Sequence, residues 1–241
     1  MTVLNTIVAD QLIKFRKEVE EVLEKGVKKE LAIMEVLKRY VKESKNIRFE
    51  GNGYSDEWVE EAARRGLAKL KTTPEALAVY ARPESIELFT KHGIYSKEEM
   101  HARHEIELEN YVKKIQIESR VIGDMAINHI VSTSLKYQTQ LVENVKGQKE
   151  IGIDPQYYAP TIEMIKKISE YTSSIVRLQN GMTEARKEAN NIEDLEERAV
   201  LYSTKVKGFF EEIRYSVDKL ELIIDDDEWP LPKYRELLLI K

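Results

Sequence analysis

The 241-residue chain contains no cysteine. Disulfides, thiolate metal sites and a cysteine nucleophile are therefore excluded. Glycine and proline are also scarce, at 10 and 6 residues, where average usage gives roughly 29 in a chain of this length. Turn-rich β-sandwiches need more of both, so the deficit points to long helices. No apolar run reaches the roughly 18 residues of a membrane span, and no leader with a hydrophobic stretch is present. A cytoplasmic location and no membrane partner are expected. The net charge of −5 excludes a generally basic surface. Arg64, Arg65, Lys69 and Lys71 are balanced by Glu60 and Glu61, so no stripe releases many counterions and no nucleic-acid partner is expected.

What is present is amphipathic and helical in period. A monomer of 28.1 kDa buries roughly 73% of its unfolded surface, enough for a core without staples. Leu4, Ile7, Val8, Leu12, Phe15, Val19 and Val22 recur at three- and four-residue steps. Thr2 is the candidate cap of this helix, and Gly26 its stop. Leu31, Met34, Leu37, Tyr40 and Val41 describe a second helix, so residues 1–44 read as a helical hairpin. Residues 45–95 read as a short-helix module. It opens with a loop at 45–54 in which Ile47 to Phe49 is a candidate extended stretch. Ser55 is a cap, Thr73-Pro74 is a cap followed by proline at the first helical position, and Pro83 opens a helix that Gly93 ends.

Residues 96–224 read as a long-helix bundle. Ser96 and Glu99 form a capping box, and no proline follows until Pro155. A straight helix over 97–145 measures about 74 Å, against a diameter near 46 Å for a compact globule of this size. The helix must bend or the domain must be elongated. Gly123 and residues 130–134 are the weak points. Two further helices are expected at roughly 160–190 and 192–224. The last carries a coiled-coil-like seam of Leu195, Ala199, Tyr202, Val206, Phe209, Ile213, Val217 and Leu220. Residues 225–241 are an acidic hinge, Asp225 to Glu228, and an apolar docking tail. The expected fold is all-α: an elongated antiparallel helical bundle with a short-helix module, one continuous domain overall.

Residues able to carry chemistry are few. His101 and His104 sit three apart, and Glu98-x-x-His101 has the spacing of a carboxylate-bridged di-iron motif, but His129 lacks the second copy because Ala126 precedes it. A solvated helix start accounts for both histidines better than a metal site. Glutamates such as Glu20, Glu21 and Glu24 face both sides of their helices as solubilising charges. The run from Asp225 to Glu228 lacks the ligand spacing of a calcium loop. Gly51-Asn52-Gly53 has no Gly-Lys-Ser/Thr and is no phosphate cradle. No catalytic, cofactor or metal residue is assigned. Two apolar ends remain, Leu4, Ile7 and Val8 at one and Trp229, Tyr234, Leu237 and Leu238 at the other. Either they pack within the domain or they form the seam to a neighbouring one.

Four stretches, in order along the whole chain, carry a resemblance. They are Thr2 to Ala9, Asn52 to Trp58 with Glu61 to Leu67, Glu87 to Gly93 with Arg103 to Tyr111, and Trp229 to Leu238. Together they resemble the C-terminal region of type III glutamine synthetases, the large bacterial form of glutamate–ammonia ligase. The resemblance implies a structural and assembly domain of an enzyme that makes glutamine from glutamate, ammonium and ATP. In that family ATP and divalent cations such as Mg are bound by an N-terminal catalytic domain absent from this sequence. The chain is then expected to be inactive alone. Its partners would be the catalytic domain of the same polypeptide, through the seven apolar residues above, and neighbouring subunits of a homo-oligomer. Two other readings stand beside it: a free-standing coiled-coil-like interaction module, supported by the 195–220 seam, and a self-sufficient metalloenzyme.

Overall fold

A computed structural model describes residues 1–239, with the backbone alone at Tyr234 and Arg235. No strand occurs among the described residues, and the fold is all-α. The chain divides into two compact units, Met1–Ile106 and Glu107–Lys241. The division lies inside a long helix, and the buried Met100 and His104 fall in the first unit.

The first unit opens with α1 (Thr2–Glu24). Met1, not Thr2, occupies its cap position, and Thr2 caps nothing with its side chain. Gly26 takes φ +79°, a left-handed conformation that only glycine adopts without strain, and so ends the helix. The antiparallel α2 (Lys29–Glu43) buries Ala32 and Val36 against Val19. Phe15 and Tyr40 meet edge to face at 5.5 Å. A 3₁₀ turn at Ser44–Ile47 follows. Ile47 closes this turn instead of entering an extended stretch; Arg48 is extended, and its carbonyl accepts from Arg65 at 2.9 Å.

Phe49 stacks on Trp58 at 4.1 Å beside α3 (Asp56–Arg64), which Ser55 caps. In α4 (Thr73–Leu77) the cap is Thr72, one residue earlier than the sequence reading placed it. The reason is reciprocity: Glu75 lies three residues after Thr72 and bonds back to its N–H at 3.0 Å, whereas Ala76 holds that position relative to Thr73. α5 (Pro83–Lys91) ends before Gly93 at φ +63°. Ser96 and Glu99 form the expected reciprocal cap of α6 (Lys97–Asp124), at 3.2 and 2.8 Å.

The second unit is built from three antiparallel rods. The first contains α6 from Glu107, a π-helical segment at Met125–Val131 and α7 (Ser132–Glu150). The departure from α-geometry thus begins just after Gly123 and overlaps the second expected weak point at Ile130 and Val131. The Ser132 hydroxyl donates to the Ile127 carbonyl at 3.2 Å, occupying an acceptor that the wider turn displaces. The second rod is α8 (Pro155–Asn190), about 54 Å long. It starts at Pro155, earlier than expected, because Asp154 caps it through the Gln156 N–H at 3.0 Å. Pro160 lies in its second turn, where it cannot donate the amide bond that would reach the Gln156 carbonyl.

The third rod contains α9 (Leu195–Leu201), a second π-helical segment at Tyr202–Val206 and α10 (Lys207–Glu221). Pairings hold a steady register along α8. Gln116 reaches Asn190, Ser119 reaches Arg186 and Gln138 reaches Ser169. On the other side Tyr202 meets Asn190 and Lys205 meets Glu188. A Cβ on Gly181 would lie 2.9 Å from the Phe209 ring, so glycine sets the closest approach of α8 and α10. Ile168, Ile175, Leu178, Met182, Ala185 and Ala189 of α8 are buried. The seam residues Ala199, Tyr202, Val206, Ile213 and Leu220 are at most 1% exposed. Leu195, Phe209 and Val217 are half-buried, so the seam is packed largely inside the unit.

A polar layer crosses this core. Gln116 donates to the Tyr202 hydroxyl at 3.2 Å, and Tyr202 donates to Asn190 at 2.7 Å. Tyr202→Phe is expected to lower stability by about 1 kcal/mol, measured by urea unfolding. The loss stays small because Gln116 and Asn190 also bond directly, at 3.3 Å.

Candidate docking surface

Residues 1–9 carry no charged side chain, in a chain whose charged fraction is 34%. α1 nevertheless begins here, and Leu4, Ile7 and Val8 are 61%, 49% and 48% exposed. Leu4, Val8 and Leu12 follow one another at four-residue steps and prolong the line of Phe15, Val19 and Val22. α2 covers only the second half of that line, because Tyr40 is already level with Phe15. The other side of the same turns is fixed. Thr6 and Asp10 are buried, and α1 packs there against α5.

Asp10 is the electrostatic centre of the first unit. Its carboxylate accepts from Lys91 Nζ and His92 Nε2, both at 2.7 Å, and pairs with Lys14 at 2.8 Å. An ionised carboxylate only accepts, so Nε2 of His92 carries the proton in this bond. The Lys14 bond, then Lys91 and His92, hold the Asp10 carboxyl far below its ordinary value, against the opposing effect of burial. Asp10 in turn raises Lys14. Beside the cluster lies an open groove of about 430 Å³ lined by Ile7, Gln11, Glu84 and Glu87 among others. Sequence reading missed this cluster. Its local signals are an aspartate within an apolar stretch and Lys14 four residues on; Lys91 and His92 lie 81 and 82 residues away.

At the other end the seven apolar candidates divide. Trp229 is buried within the second unit, 8% exposed, with Lys233 Nζ 5.9 Å from its ring. Lys233 also donates to the carbonyls of Glu221 and Ile224, both at 3.0 Å, and pairs with Asp226. The acidic run is therefore a pinned turn, in which Asp225 accepts from the Asp227 N–H at 2.8 Å. Leu237 and Leu238 are exposed. The side chain of Tyr234 lies outside the described residues.

Comparison with known proteins bears on what this arrangement serves. Residues 32–149 match the glutamine synthetase C-terminal domain. The whole chain aligns with a glutamine synthetase of Bacteroides fragilis (strain YCH46), at 46% identity over 244 residues and 34% of that protein's length. The chain belongs to the glutamine synthetase C-terminal domain family. A Butyrivibrio fibrisolvens glutamine synthetase is 34% identical over 86% of the chain and 29% of its own length. A type-3 glutamine synthetase of Dictyostelium discoideum is 30% identical over 99% of the chain and 33% of its own length. The chain thus spans about a third of the length of these relatives.

Within this glutamine synthetase C-terminal domain, His104 is buried at 4% exposure in the first unit, not solvated as expected; His101 is exposed. The i, i+3 spacing misled because His104 lies on the same face as Met100 and Leu108, both buried. Among the described residues, no group of three or more His, Cys, Asp or Glu is placed to hold a metal ion. No described helix is long and apolar enough to cross a membrane.

Proposed function

We propose that this domain is the structural C-terminal part of a type III enzyme, whose whole polypeptide makes glutamine from glutamate, ammonium and ATP in the cytoplasm. The observation that carries this reading is the alignment of the entire chain with only a third of a glutamine synthetase. ATP and Mg are assigned to the remaining two thirds. No step of the ligase reaction is placed on the described residues. The domain's work is to pack on that catalytic portion and to support assembly of neighbouring subunits into a homo-oligomer. Long antiparallel rods suit such a task, because they bury an apolar stripe and keep a charged outer face.

The test is a comparison of three polypeptides for glutamine formation and for mass by light scattering. The full-length polypeptide is expected to be active and oligomeric, and the 241-residue chain inactive. A truncated polypeptide lacking these 241 residues, yet retaining both the activity and the assembly mass, would refute the structural role.

A further inference from the structure

We propose that the uncharged opening of α1, centred on Leu4, Ile7, Val8 and Leu12, is the seat on which the preceding part of the same polypeptide docks. The inference rests on the function proposed above and assigns its contact surface.

Three observations carry it. The first is the local composition: nine residues without a charge begin a helix on which Val3, Leu4, Ile7, Val8 and Leu12 remain 37–63% exposed. Apolar side chains in that density on a solvent-facing helix mark a contact surface. Secondly, the face has a defined direction. Thr6 is buried and Asp10 is bonded to Lys91 of α5, so the helix cannot roll its apolar line inward. α2, with 15 residues to the 23 of α1, stops short of it. An occupant would extend the line that α2 begins.

The third observation identifies the occupant. The relatives are about three times as long as this chain, and the matching family is a C-terminal domain. The additional chain therefore precedes residue 1 and joins α1 directly at the exposed face. Such a tether supplies an effective concentration on the order of millimolar, so a small surface suffices. Five partly exposed side chains fall short of the about 800 Å² per partner that a stable untethered pair buries. The area thus favours the tethered segment over a second copy.

Carbene footprinting of the full-length polypeptide tests this. Leu4, Ile7 and Val8 are expected to label about tenfold less there than in the 241-residue chain, since the centre of a contact excludes solvent and reagent. Val8→Glu puts an unpaired charge into the contact and is expected to restore the labelling of Leu4. Leu222→Glu, at a site 80% exposed in the second unit, should leave it unchanged. Undiminished labelling of the three residues in a polypeptide that makes glutamine would overturn the docking while leaving the function intact. A polypeptide that makes no glutamine refutes the function whatever the labelling shows. Protection that vanishes on dilution, with a fall in mass, would assign the face to a second copy and equally overturn the proposal. Should Val8→Glu not fold, the wild-type comparison decides alone.

Discussion

Ile175→Ala is expected to lower the stability of the second unit by about 3–4 kcal/mol. Ile175 is fully buried midway along α8, with packed rods on both sides. Truncation removes three carbon atoms and leaves a cavity that rigid helices cannot collapse to fill. At a urea slope of about 1–3 kcal/mol per molar, the midpoint falls by roughly 1–4 M. The two tryptophans permit a clean reading. Trp58 lies in the first unit, while Trp229 is buried in the second. In a Trp58→Phe background, the emission of Trp229 therefore follows the second unit alone. Leu222→Ala, on the exposed side, should stay within about 0.5 kcal/mol of the parent. Equal losses at the two positions would contradict the three-rod packing.

Asp10→Asn is expected to destabilise the first unit at neutral pH and to reduce its sensitivity to acid. The folded state depresses the Asp10 pKa below its ordinary value of 3.8, chiefly through the Lys14 bond and then through Lys91 and His92. A depressed carboxylate stabilises the fold fully above its unfolded pKa. That contribution is lost as pH falls from the ordinary value through the folded one. Melting temperatures of the two proteins should therefore differ above the ordinary carboxyl value and converge as the pH falls below it. Other acids held low respond equally in both proteins and cancel: Glu61 through Arg65, Glu75 through the Thr72 N–H. Glu84 and Glu87 line the neighbouring groove and are common to both as well. A gap that persists undiminished to the lowest pH would show that Asp10 acts by shape and not by charge.

Much of the fold was legible because its determinants are local. Ser55 and the Ser96–Glu99 pair cap helices where the sequence places them. Gly26 and Gly93 end helices by taking positive φ, and the period of Ala199 to Leu220 names the buried face of the third rod. Local chemistry also explains the misses. Thr72 and Thr73 are equivalent as cap residues until the partner glutamate is counted. The apolar period placed the next helix from about residue 160, whereas α8 begins at Pro155. The second π-helical segment, Tyr202–Val206, left no mark in a seam whose spacing stays at three and four.

Two things lay beyond any local signal. Trp229 and Leu238 belong to one apolar tail in the sequence, yet Lys233 pins the first against the second unit and leaves the second in solvent. Asp10 is one of 43 acids until α5 brings Lys91 and His92 to it.

The sequence by itself determined the class of fold and the order of the main helices, because periodicity, caps and glycine stops act over a few residues; four stretches resembling one family pointed to that family. Only the tertiary structure decided which apolar faces remain open and which carboxylate is depressed. An open face depends on which distant helices pack over it, and Asp10 adds Lys91 and His92 to its local partner Lys14; no spacing along the backbone encodes those meetings.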